Sequence, residues 1–590
     1  MIINDLSEYY DILSASSEDE ISKFGYETVA ADYEIVLDES GDLLSINNFV
    51  DLEGKSIKKE FQMPIRMKKS GIAASPVCDN FNYILGVGIN SKNGAKVQDT
   101  TDKKFLVAKD LHSRLFKNAV SNEAKAIVSF FETWEVENAW SNGIVAASFN
   151  EKNKFTGTIV FRLDGEKQYF HEIPEIVSIW EEENKKNNKE TSQVLGQCAI
   201  TGAIDSPIAL LHPQLFGVKG AQATGAALVC FNKDSDLSYG FKQSMNAQVS
   251  EDIAFKYTTV LNKLIKSQDN RLYIGDDTLV FWASTDNNAY VNIFKGLFDL
   301  PDENDKEKRV DRVTEEHIKT ILGNGIEGVP INSEFNPNTN FHILGISPNA
   351  GRISIRFYYK DTFKLIVDRI KQHYDDIKID GKWKNIKAYW LLDATKSSKS
   401  SEKINPLLGG ALIQSIIFGK MYPQVIFNNV IRLSKVDGVS QARASLIKGY
   451  INRKNRMLKE EKENINMTLN EQSTNEAYVL GRTFAILEKA QKDSQGGDVN
   501  ATIKDKYFAA ASSNPSLAFP NLIKLAQHHF AKLGKDGNTY LERLFGDVLT
   551  AFGSDSFPNS LNLEEQGRFI IGYYQQNKSL YTKKEKKEEA

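Results

Sequence analysis

The chain has 590 residues, 41% of them hydrophobic, and its 73 basic residues nearly balance 77 acidic ones for a net charge of −4. That length exceeds one ordinary core, the composition excludes a disordered chain, and the charge balance excludes a protein that is basic throughout, so a nucleic-acid role has to come from where the charges sit. Cys78, Cys198 and Cys230 lie far apart with no Cys-x-x-Cys, which argues against a disulfide framework or a zinc site and for a reducing compartment.

In chain order, residues 1–10 carry Asp5 and Glu8 and neither a basic nor an apolar leader region, so no secretory signal is expected. Lys58, Lys59, Arg66, Lys68 and Lys69 then form a basic run ending at Ser70-Gly71, which suits phosphate contacts and equally a solvated face. Residues 82–88 and 278–283 are short apolar runs between turn residues and read as buried strands. Between them, Gly217, Gly220 and Gly225 bracket Lys219, Gln222 and Thr224. Such a loop lets one backbone approach another and offers a cation to phosphate. It is not a P-loop, because no Gly-Lys-Ser/Thr closes it and it precedes a strand. A tight turn packed through small side chains accounts for the same residues. At residues 238–246, Lys242, Gln243 and Asn246 offer heads for phosphates and base edges. Ser250, followed by Glu251 and Asp252, predicts the start of a helix.

Gly275-Asp276-Asp277 has the paired carboxylates of a metal-dependent nuclease or polymerase-like site, and equally those of a turn entering a strand. Residues 301–316 are dense in charge and read as an exposed loop or helix start. Over residues 352–359 a strict alternation puts Ile353, Ile355, Phe357 and Tyr359 on one face and Arg352 and Arg356 on the other. Residues 347–351 turn this strand back on the apolar run at 341–346, which predicts a hairpin. Phe363, Ile366, Ile370 and Tyr374 then give the stripe of a helix.

Residues 395–404 have linker composition, and beyond them the pattern is helical: residues 410–421, residues 423–433 with Pro423 at the first position, and a third helix seamed by Val439, Ala442, Leu446 and Tyr450. Arg443, Lys448, Arg453, Lys454 and Arg456 make that third helix basic, as suits backbone phosphates or a solvated face. The apolar run at 406–418 is too short to span a bilayer and is broken by Gly409, Gly410 and Gln414. A polar stretch at 459–476 precedes further helices, the first striped by Leu480, Phe484 and Leu487, and then a charged tail from Lys583. Neither His-Glu-x-x-His nor Gly-x-Ser-x-Gly occurs. The fold class expected is α+β: a mixed strand/helix region over residues 1–394, a linker at 395–404, a helical segment with the basic helix at 405–466, and a C-terminal helical bundle over 467–590.

The runs Cys198-Ala-Ile-Thr-Gly202, Lys219-Gly-Ala-Gln-Ala-Thr-Gly225, Asn246-Ala-Gln-Val-Ser-Glu251, Gly275-Asp-Asp-Thr-Leu-Val-Phe-Trp282, Tyr507-Phe-Ala-Ala-Ala-Ser-Ser-Asn-Pro515 and Gln566-Gly-Arg-Phe-Ile-Ile-Gly-Tyr-Tyr574 occur in order along the chain. With them, essentially the whole chain resembles the large subunit of the type I-C CRISPR Cascade. It departs from the family where Ala223 and Thr224 replace serines, Gln248 a proline and Asp277 a threonine, and where Phe241 separates Lys242 from the preceding Tyr-Gly. The resemblance implies a cytoplasmic, non-enzymatic protein with no cofactor or metal and no membrane contact. It would recognise the protospacer-adjacent motif (PAM) on foreign duplex DNA, aid strand opening, stabilise the R-loop and recruit a separate helicase-nuclease. Its partners would be crRNA, target double-stranded DNA, and the backbone, handle-binding and small subunits.

On that resemblance Lys68, Lys69 and Lys219 would contact phosphate, while Asn80, Gln222, Thr224, Lys242, Gln243 and Asn246 would read or wedge the PAM duplex. Arg352, Arg356, Arg443, Arg453 and Lys454 would track single-stranded DNA. Two other readings stay open: an enzyme centred on Asp276 and Asp277, and a structural scaffold with no DNA contact. In the family the gene's 3′ end is also translated separately as a small helical subunit, for which Met467 is a candidate start.

Overall fold

The computed structural model describes residues 2–16, 21–65, 72–92, 95–100, 102–148, 157–190, 194–237, 239–274, 277–298, 320, 335–382, 386, 388–397, 406–496, 501–535 and 539–582. The chain divides into two compact units, Met1–Pro213 with Val229–Val260, and Gln214–Leu228 with Leu261–Ala590. The predicted charged loop at 301–316 and the tail from Lys583 lie outside the described residues, as do residues 398–404 of the predicted linker.

The first unit is built on a four-stranded sheet in the order Leu43–Asn48, Tyr33–Leu37, Thr158–Leu163, Cys78–Asn80. The central pair runs parallel and the outer pairs antiparallel. Alternation sorts its faces: Ile35, Leu37, Ile159 and Phe161 pack on Phe105, Phe116, Ile127, Phe130 and Phe131 of the helices Asp102–Phe116 and Asn122–Thr133. Val160, on the opposite face, meets Ala31, Phe61, Met63 and Tyr169. The strand expected at residues 82–88 is corrected. The Asn80 side chain accepts from the Asn82 N–H and caps a one-turn helix, Phe81–Ile84, and a strand begins only at Val87. Here a local cap outweighs an apolar run.

In the second unit an antiparallel sheet has the order Arg271–Ile274, Asp277–Ala283, Asn340–Asn349, Arg352–Thr362. Every residue of Asp277–Ala283 is buried, which is why its stretch Leu279–Ala283 is an unbroken apolar run rather than an alternating one. The predicted hairpin is present, but its strict alternation is not. A bulge leaves Arg356 without an opposite residue, since Gly345 pairs with Phe357 and Ile346 with Ile355. Ile355 is consequently 44% exposed while Ile353 and Phe357 are buried. Gly345 supplies the space: a Cβ there would stand 2.8 Å from Cδ1 of the Phe357 ring, so the ring occupies the room a side chain would need.

Thr362 accepts from the Leu365 N–H and starts the helix Phe363–Ile377, whose Phe363, Ile366, Ile370 and Tyr374 are buried as their spacing predicts. Their core continues into the helices Pro406–Ile417, Gln424–Val436, Gln441–Leu458, Glu476–Ser494, Ile503–Ser513, Pro515–Lys535, Tyr540–Thr550 and Leu563–Tyr581. Pro423 is the N-cap of its helix rather than the first helical residue. The fold is therefore α+β, with mixed strand and helix first and helices after. No described helix is long and apolar enough to cross a membrane.

Candidate nucleic-acid interface

The glycine-bracketed loop belongs to the second unit and is clamped to its hairpin. Leu215 and Ala226 exchange two backbone hydrogen bonds of 2.9 Å, closing the loop at its base. The Ala227 N–H donates to the Gly351 carbonyl (3.1 Å), and the Ile353 N–H donates to the Ala227 carbonyl (2.9 Å). Asn262 completes the clamp, accepting from the Phe216 N–H (2.9 Å) and donating to the Gln214 carbonyl (3.0 Å). Two tight turns follow within the loop, from the Ala221 N–H to Val218 and from the Gly225 N–H to Gln222, both 3.0 Å.

Gly225, at φ +96°, leaves no room for a side chain: a Cβ would lie 2.8 Å from Gln214 Cβ. Leu215, Val218 and Ala226 are buried, whereas Lys219, Gln222 and Thr224 are exposed. The Lys219 ammonium stands 5.7 Å over the Tyr273 ring, and the Arg271 guanidinium stands 5.0 Å from the same ring. The clamp thus brings Lys219, Gln222 and Thr224 to the hairpin turn that Arg352 leaves. Arg356 is half-exposed at the bulge and lies 3.5 Å from the buried Asp277 carboxylate. Among the described residues no three His, Cys, Asp or Glu side chains converge to hold a metal ion. Asp276 lies outside the described residues.

In the first unit, Lys242 and Gln243 are exposed, and Gln243 holds a left-handed φ of +51°. Asn246 keeps that loop in shape, its Nδ2 donating to the carbonyls of Phe241 (3.2 Å) and Gln243 (3.1 Å). Both of its amide hydrogens are thereby committed within the loop. Asn80 likewise spends its carbonyl oxygen on the Asn82 N–H at 3.1 Å. Lys68 and Lys69 lie outside the described residues.

The basic helix Gln441–Leu458 is the largest correction. Arg443, Lys448 and Arg453 are 5%, 3% and 1% exposed and cannot line a surface that tracks single-stranded DNA. Each cation instead closes the carbonyl end of other helices, where orphan acceptors and the negative dipole end collect. Arg443 donates to the carbonyls of Leu433 (3.3 Å), Gly438 (2.8 Å), Ala394 (3.2 Å) and Lys396 (3.1 Å), and pairs with Asp437 at 3.4 Å. Lys448 donates to the carbonyls of Asp375 (3.1 Å) and Asp376 (2.8 Å), and burial lowers its pKa to about 8.

Arg453 pairs with Asp376 at 2.9 Å, donates to Ser415 O (3.1 Å) and Lys420 O (3.0 Å), and sits 4.0 Å from the Tyr422 ring centroid. Arg456 holds Asp376 from the solvent side at 2.6 Å, so this one carboxylate organises the helix junction. Asp376 escaped the sequence reading, although an acidic pair inside an apolar helical stripe was a signal for it. Lys454 is the remaining predicted cation on this helix; it is partly exposed and lies 2.8 Å from Glu564.

The sequence model of the family described as CRISPR-associated protein (Cas_Csd1) matches residues 6–581. No curated protein matches the chain.

Proposed function

The chain belongs to the CRISPR-associated Cas_Csd1 family, and from that premise we propose that it is the large subunit of a type I-C Cascade that reads the PAM on invading duplex DNA. It works in the cytoplasm beside crRNA and the backbone, handle-binding and small subunits. In RNA-guided recognition the protein reads a short duplex motif while pairing with the guide reads the rest, so a small polar loop suffices for the protein's share. The chain helps open the strands, supports the displaced one and leaves cleavage to a separate helicase-nuclease. Asp277 then serves the fold through Arg356.

One observation carries this reading: the Gly217 to Gly225 loop is held by backbone clamps at its base and left-handed glycines, yet it presents Lys219, Gln222 and Thr224 outward. The clamp uses small residues, backbone groups and the Asn262 side chain, and it makes no use of an exposed glutamine. Gln222 and Thr224 suit base edges, Lys219 suits phosphate, and Arg352 and Arg356 extend the cationic surface of the same unit. Lys242 and Gln243 are a second exposed polar pair, in the first unit.

Binding of the assembled complex to duplex targets tests this. Gln222→Ala should cost about 1–3 kcal/mol on the correct motif and little on scrambled ones. Equal loss on every sequence would reduce the loop to backbone positioning.

A further inference from the structure

The hairpin that clamps the Gly217 to Gly225 loop does not end with its sheet. Ile346 is the last residue of its strand to pair with Asp277–Ala283, whereas Ser347, Pro348 and Asn349 pair with Ser354, Ile353 and Arg352 of the return strand. Residues 347–354 therefore form a two-stranded ribbon that runs on past the neighbouring strand. At its tip Ala350 turns the chain with a left-handed φ of +53°, a conformation that alanine adopts rarely and that persists where neighbouring structure enforces it. The backbone hydrogen bonds of Ala227, to Gly351 and from Ile353, hold that turn.

The loop lies against this tip. A Cβ added to Gly220 would stand 3.3 Å from Pro348 Cγ, and one added to Gly351 would stand 4.0 Å from Gln222 Oε1. Asn349, just before the turn, is exposed. An asparagine beside a turn ordinarily hydrogen-bonds to its own backbone, yet among the described residues neither the Asn349 nor the Gln222 amide has a hydrogen-bond partner. Each amide therefore offers donors and an acceptor, on two segments joined through their backbones. Residues 214–228 and 347–353 contain Lys219 and Arg352 and no acidic residue, so a phosphate backbone meets no carboxylate from either segment.

We propose that Asn349 is a second base-reading residue, which makes the recognition edge a composite of the ribbon tip and the Gly217 to Gly225 loop. A two-stranded ribbon fits the major groove, where amide side chains bond the edges of bases. Gln222 and Asn349 then read within one short motif, each from its own segment. A protein ligand fits less well, because the exposed residues of the tip, Asn349, Ala350 and Gly351, offer no large apolar side chain to bury. The composite edge deepens the duplex reading proposed above and rests on it, adding a residue from a strand remote in sequence from the loop.

The test is binding of the assembled, guide-loaded complex to a duplex library in which the base pairs beside the guide-matched sequence are randomised. Sequencing the bound and unbound fractions gives the preference, and titration of the selected and scrambled motifs at several salt concentrations gives the affinities. Asn349→Ala should weaken binding to the selected motif roughly tenfold and relax the preference at one base position. Its salt slope should equal that of the wild type, since no phosphate contact is removed. An unchanged library preference in Asn349→Ala, or an equal loss on every sequence, overturns the proposal. If Gln222→Ala still relaxes a position in that case, the loop alone reads the motif and the function proposed above stands; a wild-type complex with no preference among library members refutes both.

Discussion

Replacing Arg453 with methionine separates a structural cation from a DNA-contacting one. The guanidinium is 1% exposed and has four partners: the Asp376 carboxylate, the Ser415 and Lys420 carbonyls and the Tyr422 ring. Methionine restores part of the packed volume and none of the hydrogen bonds. Breaking a buried pair by removing one partner costs about 3–5 kcal/mol, because the charge left behind has lost its solvent as well as its partner. Arg456 still holds Asp376 after the change, at 2.6 Å, which places the expected loss at the lower end, about 3 kcal/mol. Urea denaturation of the purified chain reads this as a lower midpoint. Affinity for DNA, measured where the variant is fully folded, should keep the wild-type salt slope, since no phosphate contact has been removed. If Arg453→Met instead unfolds at the wild-type midpoint and lowers the salt slope by about one, the cation faces DNA and the assignment of the whole helix to the core is wrong.

Lys448 supplies a pH signature. Its pKa of about 8 lies below the usual 10.5, so the unfolded chain binds the proton more readily and stability falls as pH drops from about 10.5 to 8. The full effect is about 3 kcal/mol, and a Lys448→Met variant compared with wild type across that window should lack it; parallel pH profiles would refute the burial of the ammonium. The fragment 467–590 carries a core of its own around Phe484, Phe508, Phe519, Phe569 and Tyr573, so expressed alone it should be helical and unfold cooperatively. It should also bind a hydrophobic dye, because Gly567 exposes the surface that Ile431, Ile447 and Ile451 otherwise cover. A fragment without a cooperative transition would show that its core depends on the helices before it.

What could be read from the sequence follows the range of the interaction that decides each feature. The helix Phe363–Ile377 was readable because Phe363, Ile366, Ile370 and Tyr374 declare a face within the segment itself. The glycines at 217, 220 and 225 were readable for the same reason, since a left-handed backbone conformation is a local requirement. Their partner was not, because the clamp runs from Ala227 to Gly351 and Ile353, more than a hundred residues along. The bulge at Arg356 depends on Phe357 meeting Gly345 across the hairpin, and neither strand read alone contains it.

Charge is the hardest case. Arg443 and Arg453 look, on their own helix, like cations awaiting phosphate. The groups that claim them are Asp376, 77 residues before Arg453, and backbone carbonyls, which every residue type carries and no pattern marks. A run of lysines and arginines therefore says little until the helix ends around it are known. Exposed polar residues on a loop fixed by local backbone requirements say more, because the fold has already been satisfied without them. By that criterion Gln222 and Thr224 remain candidates for recognition, whereas Arg443 and Arg453 pass to the framework.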